Sequence, residues 1–142
     1  MQYEWDSSLE TGYEKVDNQH KQLLAVFNNL ITAAKEEKGS EEIFRVLEFL
    51  TGYVIMHFKT EESLQLEYEY DDYHIHKQYH DDFKVTVRDL TNRLIAEGPS
   101  IELMNVVTET IGDWFINHIK GDDFLMAAFI KSKENGENNG TK

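Results

Sequence analysis

Along four separate stretches of this chain, apolar residues recur at alternating steps of three and four. That spacing commits the chain to helices which each bury one face. The first stretch runs Val16, His20, Leu23, Phe27, Leu30, Ala34, and the second Ile43, Leu47, Leu50, Val54, His57, Glu61, Leu64. The third is Tyr73, His76, His80, Phe83, Val87, Leu90, Leu94, and the fourth Ile101, Met104, Val107, Ile111, Trp114, His118. Short links between long helices predict an all-α fold, an up-down-up-down antiparallel four-helix bundle. An N-terminal arm precedes it and a short C-terminal helix follows.

Residues 1–16 show no sustained period but carry Tyr3, Trp5 and Tyr13, too aromatic for a disordered tail, and read as an arm packed over the bundle. Asp17 or Asn18 is the expected cap of the first helix, which runs to about Lys38. Ser40 is the expected cap of the second, with Glu41 and Glu42 favourable in its first turn. This helix continues to about Leu66, and its interior Gly52 suits a close helix–helix contact. After the acidic connector 67–72, a third helix runs to about Ala96. Gly98 then stops it and Ser100 caps the fourth, which reaches about Ile119. Gly121 reads as a break before a short fifth helix over 122–131. From Ser132 the chain is polar and glycine-rich, so the expected organisation is one domain over residues 1–131 and a disordered tail over 132–142.

At 142 residues the chain suits one core, and a single proline leaves long helices uninterrupted. The net charge of −13 argues against nucleic acid and anionic membrane surfaces, which would repel it. With no cysteine, thiolate metal sites, iron–sulfur clusters, disulfides and cysteine nucleophiles are excluded. The opening residues lack the pattern of a signal peptide, and no apolar run approaches the ~20 residues of a membrane helix. A cytoplasmic location is expected.

Five of the six histidines and one glutamate occupy seam positions where apolar residues belong. Burying them is costly unless their lone pairs are satisfied, and a metal ion does that. His20 opens helix one, His57 and Glu61 close helix two, His76 and His80 lie early in helix three, and His118 ends helix four. Alternating helix direction therefore gathers all six at one end of the bundle. Asp123, five residues after His118, can turn back over that end. Five imidazoles and two carboxylates are too many for one zinc, whereas two metals sharing carboxylates use them all; nitrogen and oxygen donors suit iron, manganese or zinc. One histidine alone is more often an ordinary core residue, but five in register are not. His74 falls off its seam and is expected at the surface. Acid–base catalysis by a buried His/Glu pair needs no such number.

This pattern resembles the hemerythrins: His20, then His57-Phe-Lys-Thr-Glu61, His76-Lys-Gln-Tyr-His80, and His118-Ile-Lys-Gly-Asp-Asp123. The opening, with Trp5-Asp6, Gly12, Asp17 and His20, is similar to the bacterial branch, and the resemblance spans roughly residues 3–130. It implies two non-haem irons. His76, His80 and His118 would hold one, His20 and His57 the other, with Glu61, Asp123 and an oxo or hydroxo group bridging them. It also implies reversible O2 binding at the open position of the two-histidine iron. Two departures stand out. Asp71 follows Tyr70 where the family often has proline, and Phe115 stands three residues before His118 where many members have leucine. The seam neighbours Leu23, Phe58, Trp114, Phe115 and Ile119 are the expected wall of the O2 pocket, though such residues are also ordinary core. A dry apolar wall favours reversible binding over oxidation.

The leading function is thus O2 storage, delivery or sensing rather than catalysis. The alternative is a di-iron oxidase, peroxidase or nitric-oxide-handling enzyme on the same scaffold. Ferritin-like di-iron enzymes use Glu-x-x-His motifs, and the residues three before the seam histidines here are Asp17, Val54, Tyr73, Lys77 and Phe115. Expected partners are O2 and, for delivery or signalling, another protein. The chain itself is expected to be monomeric.

Overall fold

A computed structural model describes residues 3–36 and 39–139. After a short 3-10 turn at Ser7–Leu9, the chain forms α1 (Glu14–Lys35), α2 (Ser40–Glu67), α3 (Tyr73–Glu97) and α4 (Ile101–His118). A π-helical turn (Ile119–Asp123) leads into α5 (Phe124–Asn139). No strand occurs among the described residues. Helix α1 packs on α2 and α4, α2 on α3, and α3 on α4, which closes the four-helix ring. No described helix is long and apolar enough to cross a membrane.

The seams are the core. Phe27, Leu30, Leu47, Leu50, Val54, Phe83, Val87, Leu94, Met104, Val107 and Ile111 are buried in one cluster that draws on all four helices. Leu90 and Trp114 are only half-buried, as are Ala34 and Tyr73 near helix ends, and Ile101, the first residue of α4, is exposed. At helix ends the neighbouring helix no longer covers the face.

Helix α1 begins at Glu14, ahead of the expected caps at Asp17 and Asn18, and its last residue is Lys35; Lys38 lies outside the described residues. The buried Asp17 serves the arm instead. It accepts from the Thr11 amide at 2.9 Å, the Thr11 hydroxyl at 2.7 Å and the Gly12 amide at 3.1 Å. Gly12, at φ 87°, supplies the left-handed turn that aims these donors inward. The Asn28 side chain holds the arm further out, exchanging hydrogen bonds with the Tyr3 backbone at 3.0 and 2.8 Å. The tyrosine ring fills the space at buried Gly112, where a Cβ would collide with it. The close approach therefore occurs at Gly112; Gly52 is exposed and nothing packs against it.

Helix α2 starts at Ser40 with Gly39 as its cap, one residue earlier than expected. It ends without proline: Glu69 takes φ 55° and the Tyr70 amide reaches back to the Gln65 carbonyl at 2.8 Å, a Schellman-type closure. Asp71 is thus compatible with the connector. The Gly98 stop and the Ser100 cap appear as expected, with Ser100 Oγ accepting from the Leu103 amide at 3.1 Å.

No break occurs at Gly121. The helix passes through it as a π turn and continues to Asn139, past Ser132 into the stretch read as a polar tail. Buried Met126, Ala127 and Ile130 anchor its first turns, and the residues beyond extend the same register.

A carboxylate-bridged histidine cluster

The π turn determines the geometry of the site. Residues five apart on an α-helix point ~140° apart, so His118 and Asp123 would diverge on an unbroken α4. One wider turn brings both inward, with His118 Nε2 3.2 Å from Asp123 Oδ1. The same turn puts Asp122 Oδ2 3.0 Å from the outer nitrogen of that imidazole, Nδ1.

The other predicted residues converge as the bundle topology requires. His20, His57, Glu61, His76, His80, His118 and Asp123 are all buried, and Glu61 and Asp123 completely so. They form two groups, His76, His80 and His118 in one and His20 and His57 in the other, with Glu61 and Asp123 common to both. Each carboxylate divides its oxygens between them. Glu61 Oε1 lies 3.1 Å from His80 Nε2 and 3.4 Å from His76 Nε2, whereas Oε2 lies 3.1 Å from His57 Nε2 and 3.4 Å from His20 Nε2. Asp123 Oδ1 faces His76 at 3.1 Å as well as His118, and Oδ2 faces His20 at 2.9 Å.

These contacts lack hydrogen-bond geometry at several atoms. Both oxygens of Glu61 and of Asp123, and both nitrogens of His20, are buried without a hydrogen-bond partner among the described residues. Native interiors rarely leave so many groups unpaired. The His118 Nε2 atom also sits 3.0 Å from His76 Nε2 and 3.1 Å from His80 Nε2. Adjacent donors around a six-coordinate metal with bonds of about 2.1 Å have that separation. The donor set therefore fits two metal ions sharing two carboxylates.

Electrostatics are consistent with this. Burial pulls the His20 and His76 imidazoles down, but the facing Asp123 and Glu61 carboxylates outweigh it and raise each to about 9. His118 rises to about 10 for the same reasons, with Asp122 adding to the effect. Burial pushes the Glu61 carboxyl up, yet the His57 and neighbouring imidazoles hold it well below its usual range. Asp123 is likewise held low by His118 and His20 against burial and the charge of Glu61. Positive charge is what the two carboxylates demand.

Aromatic residues wall the cluster. Phe58 stacks on His80 and Trp114 stacks on His118, the latter with centroids 4.3 Å apart. Phe115 packs beside both Phe58 and Trp114, and Leu23 belongs to the same core cluster. Ile119 is the exception in the expected wall. It is buried with Leu9 and Leu24 under the arm, because residues one apart on a helix point about 100° apart and Ile119 directly follows His118. His74 is exposed, as its place off the seam predicts.

Sequence reasoning missed three outer residues: Gln19, Glu62 and Asp122. Gln19 Oε1 lies 2.6 Å from His57 Nδ1, and Glu62 Oε2 lies 2.9 Å from His80 Nδ1. Each stands next to a predicted ligand in the chain (His20, Glu61 and Asp123), which is the one signal available. Their imidazole partners all belong to other elements, His57 to α2, His80 to α3 and His118 to α4.

A family model described as the hemerythrin HHE cation binding domain matches residues 11–130. A bacteriohemerythrin of Pseudomonas aeruginosa is 31% identical over 141 residues, covering 93% of this chain and 89% of its own. A myohemerythrin of Theromyzon tessulatum is 31% identical over 122 residues, covering 86% and 88%. A solved wild-type hemerythrin superposes with a TM-score of 0.81 at 29% identity, covering 90% of this chain and 97% of that one.

Proposed function

This chain belongs to the hemerythrin family, and we propose that it binds O2 reversibly at a pair of non-haem irons, for storage, delivery or sensing. The observation that carries the reading is the division of the Glu61 and Asp123 oxygens between a three-histidine and a two-histidine group. His76, His80 and His118 would hold one iron and His20 and His57 the other, with Glu61 and Asp123 shared between the two groups. Two irons held there would supply the electrons that reversible O2 binding requires.

The chain's own residues make that exchange reversible. The group of His20 and His57 offers one imidazole fewer, which leaves room for O2. Phe58, 6.2 Å from His57, and Leu23, three residues after His20, flank that group, while Trp114 against His118 and Phe115 beside it wall the three-histidine group; this apolar lining disfavours loss of reduced oxygen. The imidazole-rich donor set separates this site from the carboxylate-rich sites of ferritin-like di-iron enzymes. We place the protein in the cytoplasm as a monomer.

Iron analysis after expression with iron available should give two irons per chain. Reduced protein given O2 should develop a visible charge-transfer band that fades under argon, over repeated cycles. A single zinc with no iron overturns the di-iron reading. Immediate oxidation with steady peroxide release, and no band even by stopped flow, replaces the carrier with an oxidase.

A further inference from the structure

The inner nitrogens of the two histidine groups face the same two carboxylates, but their outer nitrogens are treated differently. In the three-histidine group, His80 Nδ1 donates to Glu62 at 2.9 Å and His118 Nδ1 faces the Asp122 carboxylate at 3.0 Å. Two carboxylates back that group. In the two-histidine group, His57 Nδ1 donates to the neutral amide of Gln19 at 2.6 Å, and His20 Nδ1 is buried with no hydrogen-bond partner among the described residues. The Gln19 amide is oriented by its other end, where Nε2 donates to Thr60 Oγ1 at 3.3 Å, so that its oxygen faces the imidazole.

An outer partner of an imidazole does two things: it selects the tautomer that leaves Nε2 free, and it sets the electron density there. A carboxylate draws the Nδ1 proton toward itself and makes Nε2 a stronger donor to a metal than a neutral amide does. Gln19 therefore orients His57 as well as a carboxylate would, without the same gain in basicity.

We propose that Gln19 is a positioning residue that keeps the two-histidine metal position weaker than the three-histidine one, so that the two metals enter in order, the three-histidine position first. This rests on the dinuclear reading above and adds to it that outer hydrogen bonds, beyond ligand number, set the gap. The metal at the two-histidine position is the one with room for O2, and a softer hold there keeps its coordination adjustable.

The test needs neither iron nor O2. Metal-free protein is titrated with Co2+, followed by calorimetry and by the visible spectrum of the ion. Wild type should take two ions in two resolved steps. Gln19→Glu should tighten the second step about tenfold and leave the first unchanged, while Gln19→Ala should weaken the second step about tenfold. Glu62→Gln, which keeps shape and removes charge, should weaken the first step instead. Asn18→Glu adds the same charge at the neighbouring exposed position and should change neither step.

Opposite effects of Gln19→Glu and Gln19→Ala are beyond a purely structural role, which either substitution would impair. Equal steps in wild type, a gap indifferent to Gln19→Glu, or equal tightening by Asn18→Glu each overturn the proposal while two ions still bind. One Co2+ per chain overturns the dinuclear reading along with it.

Discussion

Phe58 lies flat against His80, with ring centroids 3.8 Å apart and planes 3° from parallel. Glu62 holds the same imidazole at Nδ1, so a stacking contact and a hydrogen bond together fix where His80 Nε2 points. Phe58 is fully buried and also meets Phe83 and Trp114 edge-on. Phe58→Ala removes the stack and leaves a cavity, and the expected cost is about 3–5 kcal/mol, read by urea unfolding. Iron should also be lost faster to a chelator. A variant as stable as wild type, with the same chelation rate, would mean the stack does not support the ligand.

His57→Ala and His80→Ala should each lower iron content sharply, while His74→Ala leaves it at the wild-type value. The first two imidazoles face the shared carboxylate Glu61, whereas His74 is exposed against Tyr73. Loss of either buried imidazole also leaves Glu61 with less compensation, so both variants should melt earlier. Metal analysis and thermal unfolding on the three proteins decide it. Equal iron loss in all three would contradict the seam assignment.

The cluster was legible because its residues violate the rule they sit in. Polar side chains at His20, His57, Glu61, His76, His80 and His118 stand on seams whose other members are apolar, and alternating helices bring them together. Asp123 was legible only in part. The spacing from His118 pointed to a ligand, but Gly121 read as a break, because a π turn leaves no mark in composition. Asp17 was misread for a related reason: an aspartate near a helix start suggests a cap, yet its donors lie in the preceding loop, at Thr11 and Gly12. Ile119 adjoins His118 in sequence, but residues one apart on a helix face different sides, and it lies with Leu9 and Leu24 instead. Gln19 and Glu62 depend on which side chains meet across helices, a relation that periodicity along a single helix does not carry.

Metal uptake at pH 7 should release protons, and the release should shrink as pH approaches 10. The carboxylates raise His20 and His76 to about 9 and His118 to about 10 against the opposing effect of burial. These imidazoles therefore hold protons in the metal-free fold at neutral pH, and a metal must displace them to reach Nε2. Because folding raises these values, the stabilisation from the protonated groups is complete below about 6.5 and is lost as pH rises through 9 to 10. The metal-free protein should thus melt earlier at pH 10 than at pH 7, while the loaded protein loses less. Calorimetry of Zn2+ binding in buffers of different ionisation enthalpy counts the protons. Zero release at pH 7 would contradict the assignment of charge in the cluster.

Phe115→Leu should leave iron content intact and shorten the lifetime of the O2 adduct. Phe115 is buried three residues before His118 but is not among the groups that could ligate a metal. Its ring packs against Phe83 at 5.2 Å and Trp114 at 5.5 Å, and Trp114 in turn stacks on His118. Leucine keeps the apolar character but removes ring atoms, so a gap opens beside Trp114 and Phe58. Partial collapse of that gap should limit the stability loss to the order of 1 kcal/mol. The dry wall then becomes looser, and O2 should leave more readily and water enter more often. Stopped-flow release into a trap gives the first rate, and the slow bleaching of the oxygenated band in air gives the second. Both should rise together. If iron content falls with them, Phe115 supports the ligands rather than the pocket; if both rates match wild type, O2 does not sit against this wall.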